Sequence, residues 1–302
     1  MNVSRPLIVL ASLVAVLALV YAGLGLFWQD AASPFSFSTL RGQTVEIYGR
    51  GIYRLDTVIA AAGNRGTDAA TLFVALPLLV IALAWYRRGS LRGGLLLTGT
   101  LSYFLYNSAS LTFGAAWNAL VLIYTAAFSA SLFAFVLAFT VIDLPTLAAR
   151  VSPRLHHRGT AAFLIFAGIA TALIWLSDII PAMIQGSAPA VLASYTTVFT
   201  YAFDLAVITP ATILAGVLLR RRAPLGYLLA PVLLILCLLI GIVVVSQTVF
   251  QVNAGVAFNP GQFIGLVSSW VIMGAFAAGL TVSFFRHLDS QGAEAWSAGR
   301  KV

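Results

Sequence analysis

The sequence predicts an all-α, polytopic bundle of about eight membrane-spanning helices, and three observations carry that prediction. Of its 302 residues, 61% are hydrophobic and only 9% charged, where a soluble domain carries roughly 25% charged residues. So few charges cannot cover helices in water, which makes lipid the natural solvent. The apolar runs are about 20 residues long rather than alternating ten-residue segments, so helices rather than barrel strands satisfy the backbone in hydrocarbon. Basic residues, finally, cluster at every second connection.

Taken in order, the apolar runs fall at 7–28, 69–86, 93–112, 117–141, 160–183, 195–219, 225–247 and 262–285. The first has the parts of a signal peptide: Arg5, an apolar stretch, then Ala18-Leu19-Val20-Tyr21-Ala22-Gly23. Its apolar character continues through Leu24, Leu26, Phe27 and Trp28, however, so a retained span is expected. In the long connection 29–67, Ile52, Leu55, Ile59 and Ala62 recur at helical spacing. They predict a short amphipathic helix near 51–62 at the outer interface, stopped by Gly63-Asn64. Thr67 would then cap the second span, with Asp68 in its first turn.

Arg5, Arg87, Arg88, Arg92, Arg150, Arg154, Arg158, Arg220, Arg221, Arg222, Arg286, Arg300 and Lys301 fall on one side of this alternation. Arg41, Arg50, Arg54 and Arg65, all in the long connection, fall on the other. The excess of 13 over 4 places the first set in the cytoplasm, with both termini inside.

Sliding the chain against itself aligns residues 72–97 with 205–230 without gaps at an offset of 133. Pro77, Arg87, Arg88 and Gly93 match Pro210, Arg220, Arg221 and Gly226. Several Leu, Val and Ala matches accompany them but carry less weight in so apolar a chain. Both copies run in the same direction. The expectation is two parallel four-helix repeats, residues 1–150 and 151–302, within one integral membrane domain. Such repeats place a substrate site between halves in several secondary transporters.

Ionisable groups inside spans are costly and mark functional sites. Counting from each basic cluster at 1.5 Å per residue, Asp204 lies roughly 24 Å up a core of about 30 Å, with Asp178 at roughly 27 Å. On the same scale Asp68 lies near roughly 28 Å and Asn107 near roughly 22 Å, with Tyr103 in that layer. Arg50, Arg54 and Arg65 would hang just above. The expected site is an outward-facing polar pocket formed by Asp204, Asp178, Asp68, Asn107, Tyr103, Arg54, Arg50 and Arg65, over an apolar floor. Asp204, the deepest acid and six residues before Pro210, is the leading candidate.

The net charge of +8 is spread over short turns with no basic face, so nucleic acid is not an expected partner. One cysteine, Cys237, permits neither a disulfide framework nor a cysteine metal site. His156, His157 and His287 fall outside the apolar runs, no lysine lies within a span, and no H-E-x-x-H occurs. No metal or cofactor is therefore expected. Gly261-x-x-x-Gly265 is a weak packing motif. Arginine far outnumbers lysine, which points to a GC-rich bacterial gene and a bacterial plasma membrane. Membrane lipid and a small-molecule or ion ligand are the expected partners. Three readings follow: a small-solute or ion-coupled transporter; a non-catalytic sensor, subunit or scaffold; or an intramembrane enzyme on a lipid-linked substrate, with Asp178 and Asp204 as acid and base.

Overall fold

Ser4 opens the first helix by accepting the Leu7 N–H, and α1 (Arg5–Phe27) buries Leu7, Ala11, Val14, Ala18, Tyr21 and Gly25 on one stripe. In this computed structural model, which describes residues 3–288, Val9, Leu13, Val16 and Leu19 remain exposed on the opposite face of α1. A β-hairpin follows, β1 (Phe35–Ser38) antiparallel to β2 (Thr44–Ile47), with Phe35 opposite Ile47 and Phe37 opposite Val45. The remaining long helices are α2 (Val58–Arg87), α3 (Leu91–Gly114) and α4 (Val121–Thr140). After the short α5 (Leu144–Arg150) come α6 (His157–Ile184), α7 (Phe199–Arg220), α8 (Pro224–Asn253) and α9 (Phe263–Arg286).

Among the described residues, seven helices are long and apolar enough to cross a membrane: α1, α2, α4, α6, α7, α8 and α9. The chain is thus a helical bundle whose apolar segments are compatible with an integral, multi-pass membrane protein. The eighth expected run corresponds to α3, whose 24 residues include Gly, Thr, Ser, Tyr and Asn that lower its hydropathy. Most of them are buried, because α3 packs against α2, α4 and α8 at the centre. A helix enclosed by other helices needs no lipid-compatible surface.

Residues 51–57 form turns, and Thr57, not Thr67, caps α2 by accepting the Ala60 N–H. The separate interfacial helix expected near 51–62 is therefore the start of α2 itself. Gly63 and Gly66 do not end it; they let α8 approach. A Cβ on Gly66 would lie 2.5 Å from Gln247 Cα. Thr67 instead donates to the Gly63 carbonyl within the helix (3.1 Å). Asp68 consequently sits inside α2, fully buried, rather than in a first turn. The close crossing between α8 and α9 comes from Gly241 and Gly274, where a Cβ on either would meet the other's Cα at 2.8 Å. Gly265 faces open space and packs nothing.

Loop contacts sort the helix ends into two sets. At one end Ala116 N–H and the Tyr195 hydroxyl both reach Asp56 (2.9 and 2.7 Å), joining three connections. At the other, Ser152 N–H donates to the His287 carbonyl (2.8 Å) and Arg92 to the Leu288 carbonyl. The helices thus alternate in direction between a hairpin end and an arginine end.

The offset of 133 recurs in the backbone. A π-helical turn at Thr71–Ala75 in α2 has its counterpart at Asp204–Ile208 in α7. Pro77 and Pro210 lie two residues beyond these turns. Each proline removes one N–H and crowds the carbonyl four residues back, and a wider turn relieves both. Gly93 packs against the backbone of Trp85 and Tyr86 at 2.5 Å, and Gly226 against that of Leu218 and Leu219 at 2.5 Å. The Gly66–Gln247 contact corresponds to Phe199 against Gly114, where a glycine Cβ would meet Phe199 Cβ at 3.2 Å. Each of these pairings joins residues 133 apart in number.

Candidate functional site

The expected residues do not form one pocket. They separate into two buried groups on either side of α3, plus surface positions. Tyr103 and Asn107 of α3 face the first group, and Tyr106 faces the second.

In the first group Tyr53 donates to Asp68 Oδ2 (2.7 Å). Asn107 Nδ2 donates to the Tyr21 and Thr71 hydroxyls (3.1 and 3.4 Å), and Thr71 and Tyr103 share a 2.7 Å hydrogen bond. Tyr124 of α4 packs edge-on against Tyr21 at 6.0 Å. These side chains fill the centre of α1–α4. The fit around Asp68 is close, since a Cβ on Gly25 would lie 2.1 Å from Asp68 Oδ2 and 2.8 Å from the Tyr53 hydroxyl. Asp68 Oδ1 has no hydrogen-bond partner. The group reads as a hydrogen-bonded joint locking α1, α2 and the 51–57 turns together.

The second group centres on Asp204, 3% exposed at the first position of the α7 π turn. Trp175 Nε1 donates to Asp204 Oδ2 (2.8 Å), and the Tyr106 hydroxyl faces the same carboxylate. Below Asp204 lies a cavity of about 30 Å³. Its walls include Thr171, Thr212, Leu236, Cys237, Ile240 and Trp270. That volume exceeds the roughly 10–15 Å³ that one water needs. It admits a water, a proton relay or a bare inorganic cation. No Lys or Arg lines the cavity.

Numbering connects the two groups. At the 133-residue offset, Thr71, Tyr103 and Asn107 correspond to Asp204, Leu236 and Ile240. Thr71, Tyr103 and Asn107 are hydrogen-bonded to one another in the first group, whereas Asp204, Leu236 and Ile240 line the hollow of the second.

Asp178 lies on the same face of α6 as Trp175, one turn nearer the hairpin end, and is exposed. It accepts a hydrogen bond from Tyr201. Because α6 and α7 run in opposite directions, two aromatic-x-x-Asp segments cross reciprocally. Trp175 holds Asp204, Tyr201 holds Asp178, and the two rings lie 5.1 Å apart. Asp178 and Asp204 therefore share no open space.

The arginines part company too. Arg50 and Arg54 are exposed at the hairpin end, where Arg54 acts electrostatically on Asp30. Arg65, inside α2, donates to the Tyr48 hydroxyl (3.0 Å) and the Leu26 carbonyl (3.3 Å), with its guanidinium 5.5 Å from the Phe250 ring. None of the three borders the cavity.

Sequence reading missed Trp175, Tyr106, Tyr201, Tyr53 and Asp56. The matched pair Trp175-x-x-Asp178 and Tyr201-x-x-Asp204 was a usable signal, since residues three apart share a helix face. Asp56 carried none. It is 1% exposed, accepts from Tyr195 and Ala116, and leaves Oδ2 without a partner. Burial raises its carboxyl to about 6 against the opposing pull of those two donors. His157, outside the apolar runs, is nonetheless buried, with Nε2 3.1 Å from the Tyr227 hydroxyl. Comparison with protein-family models, with curated proteins and with solved structures finds no match.

Proposed function

We propose that the protein is an ion-coupled transporter of a bacterial plasma membrane, with Asp204 as its proton or cation site. On this reading the chain spans eight times. The 24 residues of α3 extend about 36 Å at 1.5 Å per residue, enough to cross a core of about 30 Å. The arginine end lies in the cytoplasm and the hairpin end outside. Two parallel four-helix repeats meet along α3 and α8, and the recurring 133-residue offset in π turns, glycine contacts and site positions supports that reading.

One observation carries the function: a buried carboxylate inside an apolar helix, beside a cavity, held only by an indole and a phenol. No cationic side chain neutralises it, so proton or cation binding is its means of balancing charge. The adjoining π turn is a feature frequent at functional sites. Asp68 is the weaker candidate because its surroundings are filled.

The enzyme reading requires Asp178 and Asp204 to share a substrate space, and Trp175 and Tyr201 occupy that space. The sensor reading draws on Asp56 and Arg41, which tie the hairpin-end connections of both halves together. Proteoliposomes on a solid-supported membrane distinguish the transporter from the sensor. A pH or sodium jump should evoke transient charge movement in the wild type, reduced at least tenfold by Asp204→Asn. Asp68→Asn, if it folds, should retain most of the signal. Equal currents from wild type and Asp204→Asn refute the assignment, and a silent wild type favours the sensor.

A further inference from the structure

We infer that Trp175 and Tyr201 form a gate closing the Asp204 cavity toward the hairpin end, latched by a carboxylate at each side. The inference rests on Asp204 as the coupling site and adds the route by which an ion or proton reaches it. Three observations lead there. Along α6, from the hairpin end inward, come Asp178, Trp175 and Thr171; along α7 come Tyr201, Asp204 and Ile208. The cavity begins at Asp204 and Thr171 and continues to Ala167, Leu164 and Thr212, toward the arginine end. Trp175 and Tyr201 thus stand between it and exposed Asp178.

The two rings close on each other at 5.1 Å, and Trp270 of α9 backs Trp175 at 6.3 Å. This aromatic layer is fastened from both directions. Trp175 Nε1 donates inward to Asp204 Oδ2 (2.8 Å), while the Tyr201 hydroxyl donates outward to Asp178. A proton or cation on Asp204 neutralises the carboxylate and weakens its charge-assisted hydrogen bond from Trp175. Occupancy of the site is therefore tied directly to the latch, as a coupled carrier requires. Asp178, exposed at the mouth, supplies a first acceptor on the way in.

Cys237, the chain's only cysteine, lines the cavity beyond the gate and serves as a native reporter. The experiment uses the full chain in proteoliposomes of determined orientation. Silver ion, a thiol-reactive bare cation, is added only at the hairpin side in chloride-free buffer, and Cys237 modification is followed by mass spectrometry as protection from later alkylation. Trp175→Ala should accelerate modification at least tenfold. Trp175→Phe, which keeps an aromatic ring but removes the N–H donor, should accelerate it about threefold. Should the alanine variant fail to fold, the phenylalanine variant decides alone. Modification of wild type as fast as the variants, or no acceleration in a folded variant, overturns the gate. The charge-movement assay above reads Asp204 independently. Accelerated labelling with no wild-type currents would keep the gate and reject transport, and the reverse pattern would reject the gate alone.

Discussion

Gly25→Ala tests whether Asp68 belongs to a packed joint or to a working site. The new Cβ would lie 2.1 Å from Asp68 Oδ2, 2.8 Å from the Tyr53 hydroxyl and 3.0 Å from Asp68 Cγ. Asp68 must therefore move, and moving it breaks the 2.7 Å bond from Tyr53. Overpacking of this kind costs about 1–3 kcal/mol, and leaving a buried hydrogen-bonding group unpaired costs about 1–3 kcal/mol more. The expected loss is about 2–6 kcal/mol, a fall on the order of 5–15 °C in Tm. Asp68→Ala alone leaves Tyr53 unpaired, at about 1–3 kcal/mol. In the double variant the contacts with the carboxylate are gone and only the Tyr53 hydroxyl, the end of a side chain, is left at 2.8 Å, so its loss should be little more than that of Asp68→Ala alone. The cycle should show coupling close to the Gly25→Ala loss itself, about 2–6 kcal/mol. Thermal unfolding in one detergent, followed by intrinsic fluorescence, measures all four proteins. Additive losses, or a Gly25→Ala protein melting within about 2 °C of wild type, would refute the joint.

The matched turns predict matched sensitivities. Gly93→Ala and Gly226→Ala each place a Cβ 2.5 Å from backbone atoms, so each should cost about 1–3 kcal/mol; a loss at one site and none at the other would count against equivalent turns. Asp56 makes the hairpin end pH-dependent. Its carboxyl is raised from 3.8 to about 6 by burial, so its contribution is fully present below about pH 4 and lost as pH rises through about 6. Hydrogen exchange in residues 44–57 should therefore accelerate between pH 5 and 7, after correction for intrinsic rates, and Asp56→Asn should flatten that trend. An unchanged profile in Asp56→Asn would exclude Asp56 as the cause.

Period and composition alone determined the helical bundle, its apolar segments and the spacing between its basic turns, because each is a property of contiguous residues. The 133-residue offset was legible for the same reason: Pro77 and Pro210, with the arginine pairs and glycines behind them, lie at fixed distances along the chain. Position along a span was legible as well, since rise per residue is constant: Asp204 falls within α7 and is buried there. Rotation was not. Residue counting could place Asp68, Asp178 and Asp204 in one layer but could not show that α3 stands between Asp68 and Asp204, or that Asp178 faces out. Gly63 and Gly66 illustrate the difference. Read locally they end a helix, whereas in the fold they admit α8, and only the partner's position distinguishes the two. The cavity, too, is a property of what neighbouring helices leave unfilled. Leu236 and Ile240 look like ordinary core residues until they line the hollow beside Asp204.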